Sequence, residues 1–249
     1  MMATTLGDYA AIIFDLDGTL TDTKRFPVRA SEKLFEHLGI DSELLFQQYL
    51  QGLVKDYFRQ IDAVVDGGPY IRPLDIVKNA IGAGLESIGV RVEQEVLAAA
   101  AEDFSRLHLE LSELRPGTRE LLDYLRDRDV RLGVITNSFE GHMNVILERL
   151  RIAQYFDVLV DPSVTHTYKP HPRPFWYATK QLDVSAPEAL VIGDEYYADV
   201  VGAHRAGIDA VWVNIRGASL DDNLRRFGVA SAPKYVVEDI SELLDLTSP

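Results

Sequence analysis

Two aspartates stand two residues apart at the end of a short apolar run, in AIIFDLDGTLTDT (residues 11 to 23). Asp15 and Asp17 are followed at once by Gly18, which permits a tight turn, and by Thr19. A carboxylate beside a bound cation can attack phosphorus and form an aspartyl-phosphate, splitting a hard hydrolysis into two easier displacements. Asp15 is the expected nucleophile. In extended backbone the side chain two residues on points to the same side, so Asp17 is the expected general acid and base, protonating the leaving oxygen and later activating water.

Three further segments carry groups of the kind such a reaction needs. Thr136 and Asn137 follow the apolar LGVI, Lys169 sits in YKPHPRPF, and Gly193, Asp194 and Asp199 belong to GDEYYAD after ALVI. A phosphoryl group spreads charge over its equatorial oxygens, and Thr136, Asn137, Lys169 and the amides of the first loop are donors that could hold them. A helix expected from about Ser138 would add its positive end. Asp15, Asp17, Asp194 and Asp199 gathered at one place would repel and raise one another's pKa unless a cation were present. Donors that are all oxygen, without His or Cys, suit a hard ion that keeps waters and accepts a phosphate oxygen, which is the habit of Mg²⁺. Taken singly, each segment also has a plain reading: a turn aspartate, a helix cap, a solvated lysine.

The elements that must position these residues explain why they belong together. From about 26 to 111 the periodicity is helical throughout: Val28 to Leu38 stopped by Gly39, Ser42 to Val65 stopped by DGGP, Pro73 to Ile88 stopped by Gly89, and Glu93 to Leu111. After RPGT the texture alternates: helix 118 to 128, strand RLGVIT, helix 138 to 150, strand FDVLV, helix 174 to 182, strand ALVIG, helix 197 to 206 and strand AVWVN. Such alternation implies right-handed crossovers and a parallel sheet covered on both faces, to which the first strand also belongs. The fold class is therefore α/β: a doubly wound, Rossmann-like core of residues 1 to 23 and 112 to 249, with an all-helical cap domain, residues 24 to 111, inserted after the first strand. Asp15, Thr136 with Asn137, and Gly193 with Asp194 all follow strands, and the carboxyl edge of an open parallel sheet is where ligands bind.

The sequence resembles the haloacid dehalogenase superfamily, whose four motifs are matched in order by DLDGT (Asp15 to Thr19), TN (Thr136, Asn137), KP (Lys169, Pro170) and GDEYYAD (Gly193 to Asp199). The match covers the whole core, and the insert sits where the first type of cap domain sits. KPHPRPFWYATKQL and ALVIGDEYYADVVGAHRAGIDAVWV are similar to the phosphatase-like branch. The resemblance implies metal binding by the carboxylates of Asp15 and Asp194 and the backbone carbonyl of Asp17, with Asp199, Gly18, Thr19 and Gly193 in support. Dehalogenases of the family resemble it in their nucleophile but generally lack the second acid, because a halide leaves without a proton; Asp17 therefore points to phosphate.

Where many relatives carry Ser after the metal-binding Asp, this chain has Glu195. It is either an outer partner of the metal or lysine or a solvent-facing group, and the second is the expectation here. His166 and His171 flank Lys169 and are left out of the candidate site. The insert reads as a lid that shuts out water and grips the leaving group, with Lys24, Arg25, Arg29 and the DGGPY loop near Tyr70 as candidate cleft residues. The alternatives are that it thickens the fold or supports dimerisation.

The expected activity is Mg²⁺-dependent hydrolysis of a small phosphorylated metabolite. A phosphomutase similar to β-phosphoglucomutase is the runner-up, and a non-catalytic binding module on the same scaffold is a third reading. A mutase commonly carries a proton-handling His or Thr early in the cap, and here no His precedes His37. A retired scaffold would have lost a charged motif member, and none is missing.

Bulk properties agree with these limits. The 249 residues are 47% hydrophobic, with mean hydropathy -0.05, enough for one large core or two modest ones. A net charge of -14 excludes non-specific attraction to nucleic acid or anionic lipid. The absence of cysteine removes disulfides, thiolate metal sites and thiol nucleophiles. The opening MMATTLGDYA has no basic segment leading into an apolar one, and no apolar run approaches the roughly 20 residues of a membrane span. A cytoplasmic protein, monomer or homodimer, is the expectation.

Overall fold

The computed structural model describes residues 5–23 and 25–247. Its centre is β1 (Ala11–Phe14), whose four residues are all fully buried. A short run that is apolar on both sides of the pleat fits a strand covered on both faces. Five more parallel strands complete the sheet: β4 (Arg131–Ile135), β5 (Val158–Val160), β6 (Ala189–Gly193), β7 (Asp209–Val213) and β8 (Tyr235–Val237), in the order β5-β4-β1-β6-β7-β8. β1 is flanked in register by β4, with Phe14 opposite Val134, and by β6, with Phe14 opposite Ile192. The chain thus leaves the middle of the sheet in both directions, and the switch between them lies beside β1.

Helices α5 (Thr118–Arg126), α6 (His142–Arg149), α7 (Pro162–Thr165), α8 (Arg173–Gln181), α9 (Gly202–Arg205) and α10 (Leu220–Phe227) belong to the same unit. On one sheet face Ile13, Ile135, Val191 and Trp212 pack with Phe175, Leu182 and Val200 into a closed apolar cluster. Gly202 lets that layer close, since a Cβ there would stand 2.7 Å from the Phe175 ring. The chain leaves and re-enters this unit through a small antiparallel pair, β2 (Thr21–Asp22) with β3 (Glu113–Leu114).

The second compact unit, Thr23–Ser112, contains α1 (Arg25–Leu38), α2 (Glu43–Val65), α3 (Pro73–Ser87) and α4 (Gln94–Leu111). α1 starts three residues earlier than periodicity suggests. Pro27 falls in its first turn, where a missing N–H costs nothing. The unit packs around the fully buried Tyr49, whose ring stands 5.1 Å from that of Phe35. Gln60 donates to the Ile76 carbonyl at 3.1 Å and accepts from Asn79 at 3.0 Å, so a neutral polar ladder joins α2 to α3.

Two expected helices of the α/β unit differ as well. The one expected from Ser138 begins at His142, because Gly141 adopts a left-handed backbone and its N–H is taken by the Asp161 carboxylate at 2.8 Å. The one expected over 197–206 is split: Tyr196–Val201 winds as a wide π-type turn before α9. Such turns recur at functional sites. β8 and α10, after Asn214, add to the expected core. No helix among the described residues is long and apolar enough to cross a membrane.

Candidate active site

The chain leaving β1 must turn sharply, and it does so through a compact loop. The N–H groups of Leu20 and Thr21 both donate to the Leu16 carbonyl, at 3.0 and 2.9 Å, and Gly18 donates to Thr21 at 2.7 Å. Gly18 has φ +97°, and a Cβ there would lie 2.6 Å from the Asp194 carboxylate. Both facts demand glycine: one is conformational, the other steric. Gly193 matches it from β6, since a Cβ there would lie 2.2 Å from the Asp199 carboxylate. The two glycines let three acidic side chains converge.

Asp15, Asp194 and Asp199 each offer a carboxylate oxygen within 4.8 Å of the others, and all three are buried. At an effective dielectric near 20, each such pair, if ionised, would repel by roughly 3.5 kcal/mol or more. Lys169, only 3% exposed, answers part of this charge. Its ammonium donates to Asp15 Oδ1 at 2.7 Å, Asp199 Oδ1 at 2.6 Å and the Ile135 carbonyl at 2.9 Å, which uses all three protons. Burial opposes the lysine's charge, but Asp15 and Asp199 overcome it and hold the group above its ordinary range.

The compensation is incomplete. Burial pushes the Asp15 carboxyl well up; Lys169 pulls it down, while Asp199, Asp194 and Asp17 push further. Asp194 is pushed up to about 7, by burial first and then by Asp199. One oxygen of each, Asp15 Oδ2 and Asp194 Oδ1, is buried with no hydrogen-bond partner. A buried carboxylate oxygen without a donor is costly, and two of them beside three clustered acids fit a hard divalent cation held by oxygen ligands.

The remaining expected residues take different places. Asp17 lies on the turn, half-buried and paired through its backbone with Thr21, and its carboxylate is outside the three-acid group. Thr19 is fully buried, and its hydroxyl has no hydrogen-bond partner. Thr136 is buried and accepts the Ser138 N–H at 3.1 Å. Asn137 donates to the Lys169 carbonyl at 2.9 Å and accepts its N–H at 2.8 Å. The Asn137 amide, a candidate donor to phosphoryl oxygens, thus also grips the backbone of the lysine on both sides. With α6 starting at His142, no helix end stands at Ser138. Asp199 also accepts the Glu195 N–H at 3.0 Å, so the wide turn after β6 aims this acid inward.

Among the candidate cleft residues, Lys24 lies outside the described residues. Arg25 is exposed, and Arg29 pairs with Glu32 at 3.0 Å and Glu36 at 3.6 Å along its own helix. His171 accepts the Arg173 N–H at 3.1 Å; burial and two nearby arginines, Arg173 and Arg205, hold it below its usual range.

One residue escaped the sequence reading. Arg216, in the loop after β7, donates to Glu195 at 2.8 Å and to Asp194 Oδ2 at 3.3 Å. Glu195 is therefore ion-paired rather than free in solvent. The rule that drew attention to the ends of β1, β4 and β6 applies equally to β7 and would have found it.

Comparison with known proteins gives a consistent result. The profile of the family described as haloacid dehalogenase-like hydrolase matches residues 12–213. Glyceraldehyde 3-phosphate phosphatase of Pyrococcus abyssi is 32% identical over 208 residues, covering 81% of this chain and 79% of that protein. Phosphoglycolate phosphatase of Nitrosococcus oceani is 26% identical over 242 residues, 95% of this chain and 96% of that one. The magnesium-bound crystal structure of YfnB from Bacillus subtilis superposes with a TM-score of 0.77 at 23% identity, covering 96% and 98% of the two chains, and carries the likeness of fold.

Proposed function

The chain belongs to the haloacid dehalogenase-like hydrolases, as a hydrolase of phosphate esters, and from that premise we propose that it is a Mg²⁺-dependent phosphomonoesterase working through a phosphoryl group on Asp15. The observation that carries the reading is the pair of bare buried oxygens, one on Asp15 and one on Asp194, in a cluster that Lys169 only partly neutralises. The carboxylates of Asp15 and Asp194 and the backbone carbonyl of Asp17 would hold the ion. When bound it would neutralise the acids and the charge on the phosphoryl oxygens, as a Lewis acid.

The chain's own residues then divide the work. An Asp15 oxygen forms a bond to phosphorus as the ester P–O bond breaks, and Asp17 gives its proton to the departing oxygen. Asp17, now ionised, takes a proton from water as that water attacks phosphorus; the Asp15–phosphorus bond breaks and inorganic phosphate leaves. Lys169 holds Asp15 in place and keeps positive charge beside it, and Asn137 fixes the backbone from which Lys169 extends. Thr136 and the amides of the first loop are the donors nearest in sequence for the phosphoryl oxygens. A departing halide needs no proton, so Asp17 has work to do only with a phosphate ester.

The relatives named for glyceraldehyde 3-phosphate and phosphoglycolate support small phosphorylated metabolites as the substrate class. Purified protein with Mg²⁺ should hydrolyse 4-nitrophenyl phosphate, phosphoglycolate or glyceraldehyde 3-phosphate, and a chelator should stop it. Rates unaffected by chelator, or by Asp15→Asn, would overturn the assignment. Conversion of a hexose 1-phosphate to the 6-phosphate faster than phosphate release would reinstate the mutase.

A further inference from the structure

Arg216 spans two environments. Its side chain is 60% exposed, whereas the Asp194 side chain it reaches is 1% exposed. The guanidinium donates through one nitrogen to Glu195 Oε1 at 2.8 Å and through the other to Asp194 Oδ2 at 3.3 Å. As an exposed ion pair this contributes little to stability. As geometry it does more, because a planar fork held at one end fixes whatever the other end touches. The same Asp194 is held from behind, where the Trp212 indole donates to its backbone carbonyl at 3.0 Å. With the backbone anchored and Oδ2 engaged, rotation of the carboxylate is fixed, and Oδ1 is the oxygen left bare. Glu195 also joins the two sides of the cluster: its side chain anchors Arg216, and its N–H donates to Asp199.

We infer that Arg216, anchored by Glu195, is a positioning residue that turns the Asp194 carboxylate so that its free oxygen faces the bound cation. The inference rests on the metal-dependent reading above. Residues behind metal ligands commonly change affinity ten- to a hundred-fold when removed. A guanidinium acting only as a nearby positive charge would do the opposite, weakening the site for a cation, so its removal would tighten binding. The two roles differ in sign.

The test measures Mg²⁺ affinity from the Mg²⁺-dependent rise in thermal midpoint of the full-length, metal-free protein, alongside kcat and KM for 4-nitrophenyl phosphate. Arg216→Lys keeps the charge but loses the fork, and Arg216→Gln loses both. The expected result is an Mg²⁺ affinity about ten-fold weaker in both variants, with metal-free midpoints near that of the wild type because the side chain is exposed. Glu195→Gln should act in the same direction, and its combination with Arg216→Gln should be no worse than either alone, as expected of two residues working through one contact. Wild-type affinity in Arg216→Lys, or tighter binding in Arg216→Gln, overturns the positioning role while leaving the phosphatase reading intact. A wild-type protein whose midpoint ignores Mg²⁺ overturns both.

Discussion

The two units of the molecule bury different chemistry. Among the described residues, the α/β unit buries Asp15, Asp161, Asp194, Asp199 and Lys169; the helical unit buries polar residues such as Ser31, Gln60 and His108 but no acid or lysine as a whole residue, although one oxygen of the half-buried Asp62 is enclosed without a partner. Asp161 is fully engaged, accepting from Gly141, Ser163 N–H and the Ser163 hydroxyl, and acts as a strut between two loops. The other three acids and the lysine form the cluster with bare oxygens. A fold has no structural reason to gather like charges in its interior, since pairs of apolar groups would serve stability at least as well. Among its described residues the helical unit holds one such bare carboxylate oxygen and no cluster of buried acids, and the contrast marks the strand-end cluster as the place where stability is given up for chemistry.

The contrast is broken first at its strongest point. Asp15→Asn should lower kcat by at least about a thousand-fold, yet leave the metal-free protein as stable as the wild type or more so, because it deletes a crowded buried charge. Phosphate-release assays and thermal melts read both halves, and a destabilised Asp15→Asn would contradict the view that the cluster works against stability. Lys169→Met, by removing the partner of Asp15 and Asp199, should cost about 3–5 kcal/mol of metal-free stability as well as activity, measured by urea titration. Tyr49→Ala in the helical unit should cost a similar ~3–5 kcal/mol through the cavity it leaves. Its effect should track packing alone and be indifferent to Mg²⁺ concentration. If the cost of Tyr49→Ala changed with Mg²⁺ concentration, so that the ion stabilised the variant by a different increment from wild type, the separation between the units would fail.

The pH dependence sharpens the same point. Asp194, pushed up to about 7 chiefly by burial and by Asp199, binds its proton more tightly folded than unfolded. Its favourable contribution is full below the unfolded value near 4 and is lost as pH rises through about 7. Asp15 is shifted in the same direction. Metal-free protein should therefore lose stability as pH rises from about 4 to 7, and Mg²⁺ should restore it at the upper end; a flat profile in thermal melts would contradict the charge crowding. The smallest effect belongs to the surface of the helical unit: Arg29→Ala, which breaks exposed pairs to Glu32 and Glu36, should leave the thermal midpoint close to that of the wild type.

What could be read in the sequence follows from how local each signal is. The long helices α2 and α3 declare themselves through periodicity and stops at Gly67 and Gly89, and buried strands such as AIIF and ALVIG through unbroken apolar runs ending in acids. The convergence of Asp15, Lys169, Asp194 and Asp199 could be anticipated because strand ends of a parallel sheet share an edge. The start of α6 could not, since it depends on Asp161, twenty residues away, capturing the Gly141 N–H. The bond from Asn137 to Lys169 was hidden for the same reason: it depends on where the backbone of Lys169 arrives, 32 residues later. Arg216 was missed because IRG carries no local pattern. Only its place after β7 gives it meaning.

The most direct test of the central claim is to catch the phosphoryl group on Asp15. In Asp17→Asn, attack on 4-nitrophenyl phosphate needs no proton for the leaving phenolate, but water is no longer activated, so the covalent species should accumulate. Acid-quenched protein, digested and examined by mass spectrometry, is predicted to carry one phosphoryl group on the peptide containing Asp15. Release of nitrophenol with that peptide unmodified, or with the phosphoryl group on another residue, would contradict the account.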